Sequence, residues 1–332
     1  MYNKINASLN IDLLCWVLSD DIVGKHIQCL GLAAAAGLNP IIKHIKPSWL
    51  LRAMPLLGQV ASILPTISCG NIDKRWPEVI ISCGRRTAGV ALAIRSLASS
   101  RPFLAHIQDP HIHPRNFDML IVPEHDNIRG KNVITTFGSL NYQEPQQLAE
   151  AAKPWLTKVA NLPSPLIAVN VGGSNKRYNF SPKAVNSFVK DLRTMSQSSR
   201  GSLLIACSRR TSEATKVALL NGLSDLPGII WTGLGKNPYL AFLHLCEAIV
   251  VTSDSVNMIS EACSTGKPLH IATIEQETGK LAAFHKRLRN EGYTRPFVGR
   301  LEHWTYEPLR ETSRVAAIML KLLAKRFFLL KK

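Results

Sequence analysis

Apolar runs of strand length alternate along the chain with longer amphipathic stretches, the pattern of βαβ units around parallel sheets. In the first half, Leu13–Leu18 reads as a strand, Gly24–Ala36 as a helix and Ile41–Ile45 as a strand. A strand at Val79–Cys83, a helix from Thr87 to Ala98, and strands at Phe103–Ile107 and Met119–Val122 follow. Residues 47–78 are interrupted by prolines and glycines and give no long element. After a short helical stretch, Asn161-Leu-Pro-Ser-Pro165 reads as the punctuation between two domains.

The second half is more regular. Strands are expected at Leu166–Val171, Ser202–Cys207, Gly228–Trp231, Ala248–Thr252 and Leu269–Thr273. Helices are expected from Ser181-Pro182 onward, and at Ser212–Leu220, Pro238–Cys246, Val256–Thr265, Gly279–Arg289 and Leu309–Leu330. The expected fold class is α/β, with two Rossmann-like doubly wound domains. The boundaries are residues 1–160 and 161–306, with the helix in 307–330 packing back on the first. That last helix carries Val315, Ile318, Met319, Leu322 and Leu323 at helical spacing, interleaved with Arg314, Lys321, Lys325 and Arg326. Such a stripe either packs on a domain core or lies on anionic lipid.

Composition narrows the class. Of 332 residues, 46% are hydrophobic and 19% charged, which excludes disorder and low-complexity scaffolds. No apolar run reaches the roughly 18 residues of a membrane span, and Met1–Val17 lacks the form of a secretory signal. The seven cysteines include no C-x-x-C and lie mostly in apolar runs, which suits reduced core thiols in a cytoplasmic compartment. The net charge is +17, and +9 of it falls in residues 280–332. This excess suits an anionic partner, either phosphate-bearing or at the inner face of a membrane, or merely a solvated surface.

The candidate chemistry lies at strand-to-helix loops. Val171-Gly-Gly-Ser-Asn-Lys-Arg177 follows a buried strand; Gly172 and Gly173 allow close backbone approach, and Ser174, Lys176 and Arg177 add donors and charge, so the loop either cradles a phosphate or is a tight connection with no ligand. Ser208, Arg209 and Arg210 follow the next strand, and Ser253, Asp254 and Ser255 follow a third. Open α/β sheets bind ligands at this carboxyl edge, and the donor set suits a nucleoside diphosphate. Glu261, in the helix beyond, either receives ribose hydroxyls or faces solvent. In the first half, Asp20, Lys25 and His26 are candidates for acid–base work, against the plainer reading of a cap and a solvated pair. His111, His113 and His125 lie near carboxylates, but read better as exposed loop histidines than as a metal site. Nicotinamide fingerprints, a Walker phosphate loop, a G-x-S-x-G elbow and RNA-binding aromatic motifs are all missing, so no nucleic-acid role is expected.

Ala248-Ile-Val-Val-Thr-Ser-Asp-Ser-Val-Asn-Met-Ile-Ser-Glu-Ala-Cys-Ser-Thr-Gly-Lys-Pro268 resembles the signature of the mitochondrial-fission Elm family. Gly84-Arg-Arg-Thr87, Gln108-Asp-Pro110, Ser208-Arg-Arg-Thr211 and Asn237-Pro238-Tyr239 add to the likeness, which runs from about Trp16 to Thr273. The resemblance implies a GT-B-like architecture, two domains facing across a cleft. The same stretch is similar to the sugar-nucleotide domain of MurG-type glycosyltransferases, where the position of Glu261 meets the donor ribose. It implies a nucleoside-diphosphate sugar as substrate, with no further cofactor. An envelope or lipid-linked acceptor would lie beside Gly24, Arg85, Arg86, Asp109 and His125. The alternative it implies is a non-catalytic membrane-surface adaptor with a protein partner. One departure stands out: Lys25 occupies the place of the family's histidine, and His26 is displaced by one position.

Overall fold

The computed structural model describes residues 13–46, 75–141, 145–174, 179–275 and 278–327. In chain order the first elements are β1 (Cys15–Ser19), α1 (Val23–Ala35), β2 (Pro40–His44), β3 (Val79–Cys83), α2 (Arg85–Leu97), β4 (Phe103–Ile107), β5 (Met119–Pro123) and β6 (Val133–Thr136). Next come α3 (Pro145–Ala152), α4 (Leu156–Val159), β7 (Leu166–Val171), α5 (Pro182–Ser199), β8 (Ser202–Cys207), α6 (Glu213–Leu223), β9 (Gly228–Trp231) and α7 (Tyr239–Leu245). The last are β10 (Ala248–Thr252), α8 (Val256–Cys263), β11 (Leu269–Ala272), α9 (Gly279–Asn290), β12 (Thr294–Pro296) and α10 (Glu311–Phe327).

These elements form two compact units, Met1–Tyr142 with Arg310–Lys332, and Gln143–Leu309. Each contains a six-stranded sheet, ordered β2-β1-β3-β4-β5-β6 in the first and β12-β11-β10-β7-β8-β9 in the second. Every strand pair is parallel, so the architecture is the GT-B-like pair of Rossmann-like units. Both faces of a parallel sheet are covered by helices, which explains the unbroken apolar runs. In β1 the alternation is direct: Cys15 and Val17 face the core that contains Cys29 and Leu32 of α1, whereas Trp16 and Leu18 face Ala88 and Leu92 of α2.

The terminal helix α10 belongs to the first unit. Val315, Ala316, Met319 and Leu323 are buried in the same core as α1, so its apolar stripe faces protein. The Glu311 carboxylate accepts from Phe137 N at 2.9 Å, and the Thr312 hydroxyl accepts from Asn141 N at 2.9 Å. Arg326 pairs with Asp118 at 3.0 Å. The division between units falls at Tyr142/Gln143 rather than at residue 160. The reason is that α3 packs on α7, and Trp155 meets Phe242 edge to face with centroids 5.4 Å apart. Strands β6 and β12 escape the sequence pattern because both are short sheet-edge strands with few apolar positions.

Candidate functional site

Because β8, β7 and β10 are neighbours in one parallel sheet, the three loops that follow them meet at one carboxyl edge. Their centre is Asp254, whose side chain is fully buried. Its Oδ2 accepts from Arg210 Nη2 at 2.6 Å and from Gly173 N at 3.2 Å, and its Oδ1 accepts from the Thr252 hydroxyl at 2.7 Å. Gly172 N donates to Thr252 Oγ1 at 2.8 Å, and the Thr211 hydroxyl donates to the Gly172 carbonyl at 2.6 Å.

This network changes the reading of the glycines. A Cβ on Gly172 would lie 2.0 Å from Asp254 Oδ1, and one on Gly173 would lie 1.9 Å from the Arg210 carbonyl. The glycines are required by the close approach of neighbouring loops, and both of their N–H groups already have partners within the protein. Neither N–H is free to cradle a phosphate. Arg210 also donates to the Gly173 carbonyl at 3.2 Å, so it serves the loop, whereas Arg209 is exposed at the same edge. Ser208 accepts from Arg210 N at 3.1 Å and shapes the turn. Ser174 is exposed and accepts from Phe180 N at 3.0 Å. Lys176 and Arg177 lie outside the described residues. Ser255 is the N-cap of α8, accepting from Met258 N at 3.4 Å, and Ser253 is buried behind it.

Glu261 lies in the second turn of α8 and is neither solvent-facing nor paired with a cation among the described residues. Burial pushes its carboxyl up to about 7, offset in part by a hydrogen bond from the Tyr239 hydroxyl at 2.5 Å. Tyr239 opens α7, the helix that follows β9, and its hydroxyl titrates well above its ordinary value because of burial and the adjacent carboxylate. Tyr239, Thr252 and Thr211 are the site residues that reading by charge and glycine content missed. Their hydroxyls act through neighbours, a role that no spacing rule marks.

The first unit builds a second edge site from the loops after β1, β3 and β4. Lys25 Nζ reaches Asp20 Oδ2 at 2.9 Å, and Arg86 stands 3.9 Å from the same oxygen. Asp20 is 3% exposed, with its Oδ1 buried and unpartnered among the described residues. Lys25 gets there by crossing Gly84: a Cβ at that position would lie 2.8 Å from Lys25 Cε, and its φ of +79° independently favours glycine. Gly24, in the first turn of α1, receives the Gln28 amide on its carbonyl at 3.1 Å. His26 points elsewhere: its charge neighbours are His44 and Asp21, and burial lowers its affinity for a proton. Arg85 is exposed beside Arg86, Asp109 pairs with His111 at 2.9 Å, and His125 sits on the turn after β5. Behind Lys25, the fully buried His106 shares a 2.8 Å hydrogen bond with Ser82 and is held neutral by burial, its proton affinity down to about 3. Among the described residues no group of three potential ligands could hold a metal ion.

The profile of a family described as mitochondrial fission ELM1 matches residues 23–323. The mitochondrial fission protein ELM1 of Arabidopsis thaliana is 30% identical over 96% of this chain and 93% of its own length. An uncharacterised Rickettsia prowazekii protein is 28% identical over 92% of this chain and 97% of its own. Among solved structures, the UDP-GlcNAc 2-epimerase of Methanocaldococcus jannaschii superposes with a TM-score of 0.58, covering 93% of this chain and 99% of that one. At 12% identity, that likeness is one of fold.

Proposed function

The chain belongs to the mitochondrial fission ELM1 family, and from that premise we propose that its second unit binds a nucleoside-diphosphate sugar for transfer to an envelope or lipid-linked acceptor. The observation that carries the reading is Glu261. A half-buried carboxyl titrating near 7, with one tyrosine hydroxyl as its partner and no cation among the described residues, is costly to maintain unless a ligand supplies further donors. A ribose diol at this edge supplies two. The exposed Arg209 and the N-terminus of α8 behind Ser255 supply positive potential for the departing diphosphate. Asp20, bonded among the described residues on one oxygen only and held by Lys25, is the group in the first unit suited to take a proton from an acceptor hydroxyl.

The sign of the pH dependence follows. Only the ionised Glu261 accepts from both hydroxyls, so nucleotide affinity is expected to be full above pH 7 and to fall up to about tenfold per unit below it. Glu261→Gln should flatten that profile. It should also raise the melting temperature at pH 8, by less at pH 5.5 and not at pH 4, because the cost of burying this carboxyl begins as the unfolded chain ionises near 4.5 and is full above about 7. Titration with UDP, GDP, ADP, CDP and dTDP across pH 5.5–8.5 checks both; no binding of any diphosphate overturns the reading.

One observation favours a second reading, that of a non-catalytic adaptor. The N–H groups of Gly172 and Gly173 are spent on Thr252 and Asp254, so the glycine loop is built without a ligand. The name of the Arabidopsis relative refers to mitochondrial fission, and not to a reaction. Among the described residues no helix is long and apolar enough to cross a membrane. On this reading every nucleoside diphosphate leaves the melting temperature unchanged.

A further inference from the structure

The first sheet has its own reversal of strand order. From β1 the chain passes to β2 on one side and then to β3 on the other, so right-handed crossovers put α1 and α2 on opposite faces. The two cores follow that division, with Cys15 and Val17 on the α1 side and Trp16 and Leu18 on the α2 side. The loops after β1 and β3 therefore diverge, and open α/β sheets take ligands in the crevice left at such a reversal. Asp20 and Lys25 belong to the β1 side of it, and Arg85 and Arg86 to the β3 side.

The protein itself satisfies these groups poorly. Asp20 is buried; Lys25 holds its Oδ2 at 2.9 Å, while its Oδ1 is buried without a hydrogen-bond partner. The Arg86 guanidinium stands 3.9 Å from Asp20 Oδ2 and makes no hydrogen bond among the described residues, although its Nε is buried. The backbone N–H groups of Arg85 and Arg86, the first two of α2, also lack an acceptor among the described residues, because Gly84 at the N-cap has no side chain to offer one. Gln108, after β4, adds a left-handed φ of +70°, which a glutamine seldom adopts. Its Oε1 lies 3.3 Å from where a Gly84 Cβ would stand, so its amide reaches the same crevice.

The unmet needs are of two kinds. Arg86, the remaining protons of Lys25 and two N–H groups at a helix N-terminus call for an oxyanion with several oxygens, which phosphate is. Asp20 Oδ1 calls for a donor, and a neutral one, since Lys25 already offsets the carboxylate charge. A hydroxyl meets that need. A bare anion leaves Asp20 Oδ1 unsatisfied, and a neutral sugar leaves Arg86 so. Because Arg86 and Asp20 are neighbours, one small molecule can serve both.

We propose that this crevice binds a phosphorylated polyol, with Arg86, Lys25 and the first turn of α2 on the phosphate and Asp20 on a hydroxyl a few bonds away. The binding itself is independent of the second unit. That the bound compound is the acceptor, with this hydroxyl as its attacking group, rests on the reading of Asp20 given above.

Thermal-shift titrations of the full chain, at matched ionic strength, compare sn-glycerol 3-phosphate with inorganic phosphate and with glycerol. Wild type, Arg86→Gln and Asp20→Asn are measured in parallel, with the five nucleoside diphosphates alongside. Arg86→Gln removes no hydrogen bond made among the described residues and is expected to fold as wild type. In wild type, glycerol 3-phosphate should bind about fivefold more tightly than phosphate, the worth of one added hydrogen bond, and glycerol should not bind. Arg86→Gln should weaken both phosphates about tenfold or more. In Asp20→Asn, Lys25 keeps the amide oxygen and an N–H2 replaces the accepting atom, so the preference for the hydroxylated phosphate should vanish while phosphate still binds. Flotation with phosphatidylcholine vesicles containing phosphatidylglycerol or, at equal surface charge, phosphatidylserine separates a lipid headgroup from a free phosphate. A headgroup source gives a preference for phosphatidylglycerol that Arg86→Gln abolishes, and a soluble source gives none. No preference for the hydroxylated phosphate in either form, or one that survives both substitutions, overturns this proposal and leaves the nucleotide reading to its own titration. Loss of diphosphate binding alone overturns that reading and leaves this site standing.

Discussion

Arg210→Ala is expected to lower the stability of the second unit by about 3–5 kcal/mol, because it strands a fully buried carboxylate. The asymmetry of the pair makes the prediction sharp. Asp254 is 0% exposed and cannot turn to water, whereas Arg210 is 40% exposed and can. Removing the arginine leaves the carboxylate, among the described residues, with only Gly173 N and the Thr252 hydroxyl as donors. Removing the carboxylate leaves an arginine free to swing into solvent, and its cost is that of the orphaned Gly173 N–H and Thr252 hydroxyl, about 1–3 kcal/mol. Urea unfolding should therefore rank Arg210→Ala below Asp254→Asn, and both below wild type. Equal losses would mean that the carboxylate is not held as described.

Gly173→Ala is expected to be at least as damaging, at roughly 4 kcal/mol or more, since its Cβ would lie 1.9 Å from a backbone carbonyl that cannot rotate away. Gly172→Ala differs in kind. Its Cβ would meet the Asp254 carboxylate at 2.0 Å, so the obstruction is a side chain held by Arg210 and Thr252. Combined with Asp254→Ala, Gly172→Ala should cost less than the sum of the two single changes, because the second substitution vacates the space that the first needs. Gly173→Ala should show no such relief. A thermal-denaturation double-mutant cycle on both glycines separates the cases, and additive losses at Gly172 would contradict the geometry.

The elements that the hydrophobic pattern revealed best were the central strands. β3, β4, β7, β8 and β10 have the bounds their apolar runs suggest, because burial on both faces demands apolar residues at nearly every position. Helices such as α5 and α8 were legible from their caps, Ser181 with Pro182 and Ser255. The loops of the candidate sites were legible too, since a parallel sheet brings every strand-to-helix loop to one edge. The roles within those loops were less so. Gly172 and Gly173 suggested a phosphate cradle by composition, yet their donors are consumed by Thr252 and Asp254. Charge likewise grouped Lys25 with His26, although a helix turns successive residues away from each other and only Lys25 reaches Asp20.

By itself, the sequence determined the two parallel sheets, their βαβ order and the edges at which chemistry can occur, because those follow from period, burial and strand direction. Three other matters were decided only by the tertiary structure. The stripe of α10 faces the α1 core and not lipid, α3 joins the second unit through α7, and Glu261 is left half-buried with Tyr239 as its partner. Each depends on which distant segments come into contact, and on how much water those contacts remove from a titratable group. Neither quantity is carried by residue type or spacing along the chain.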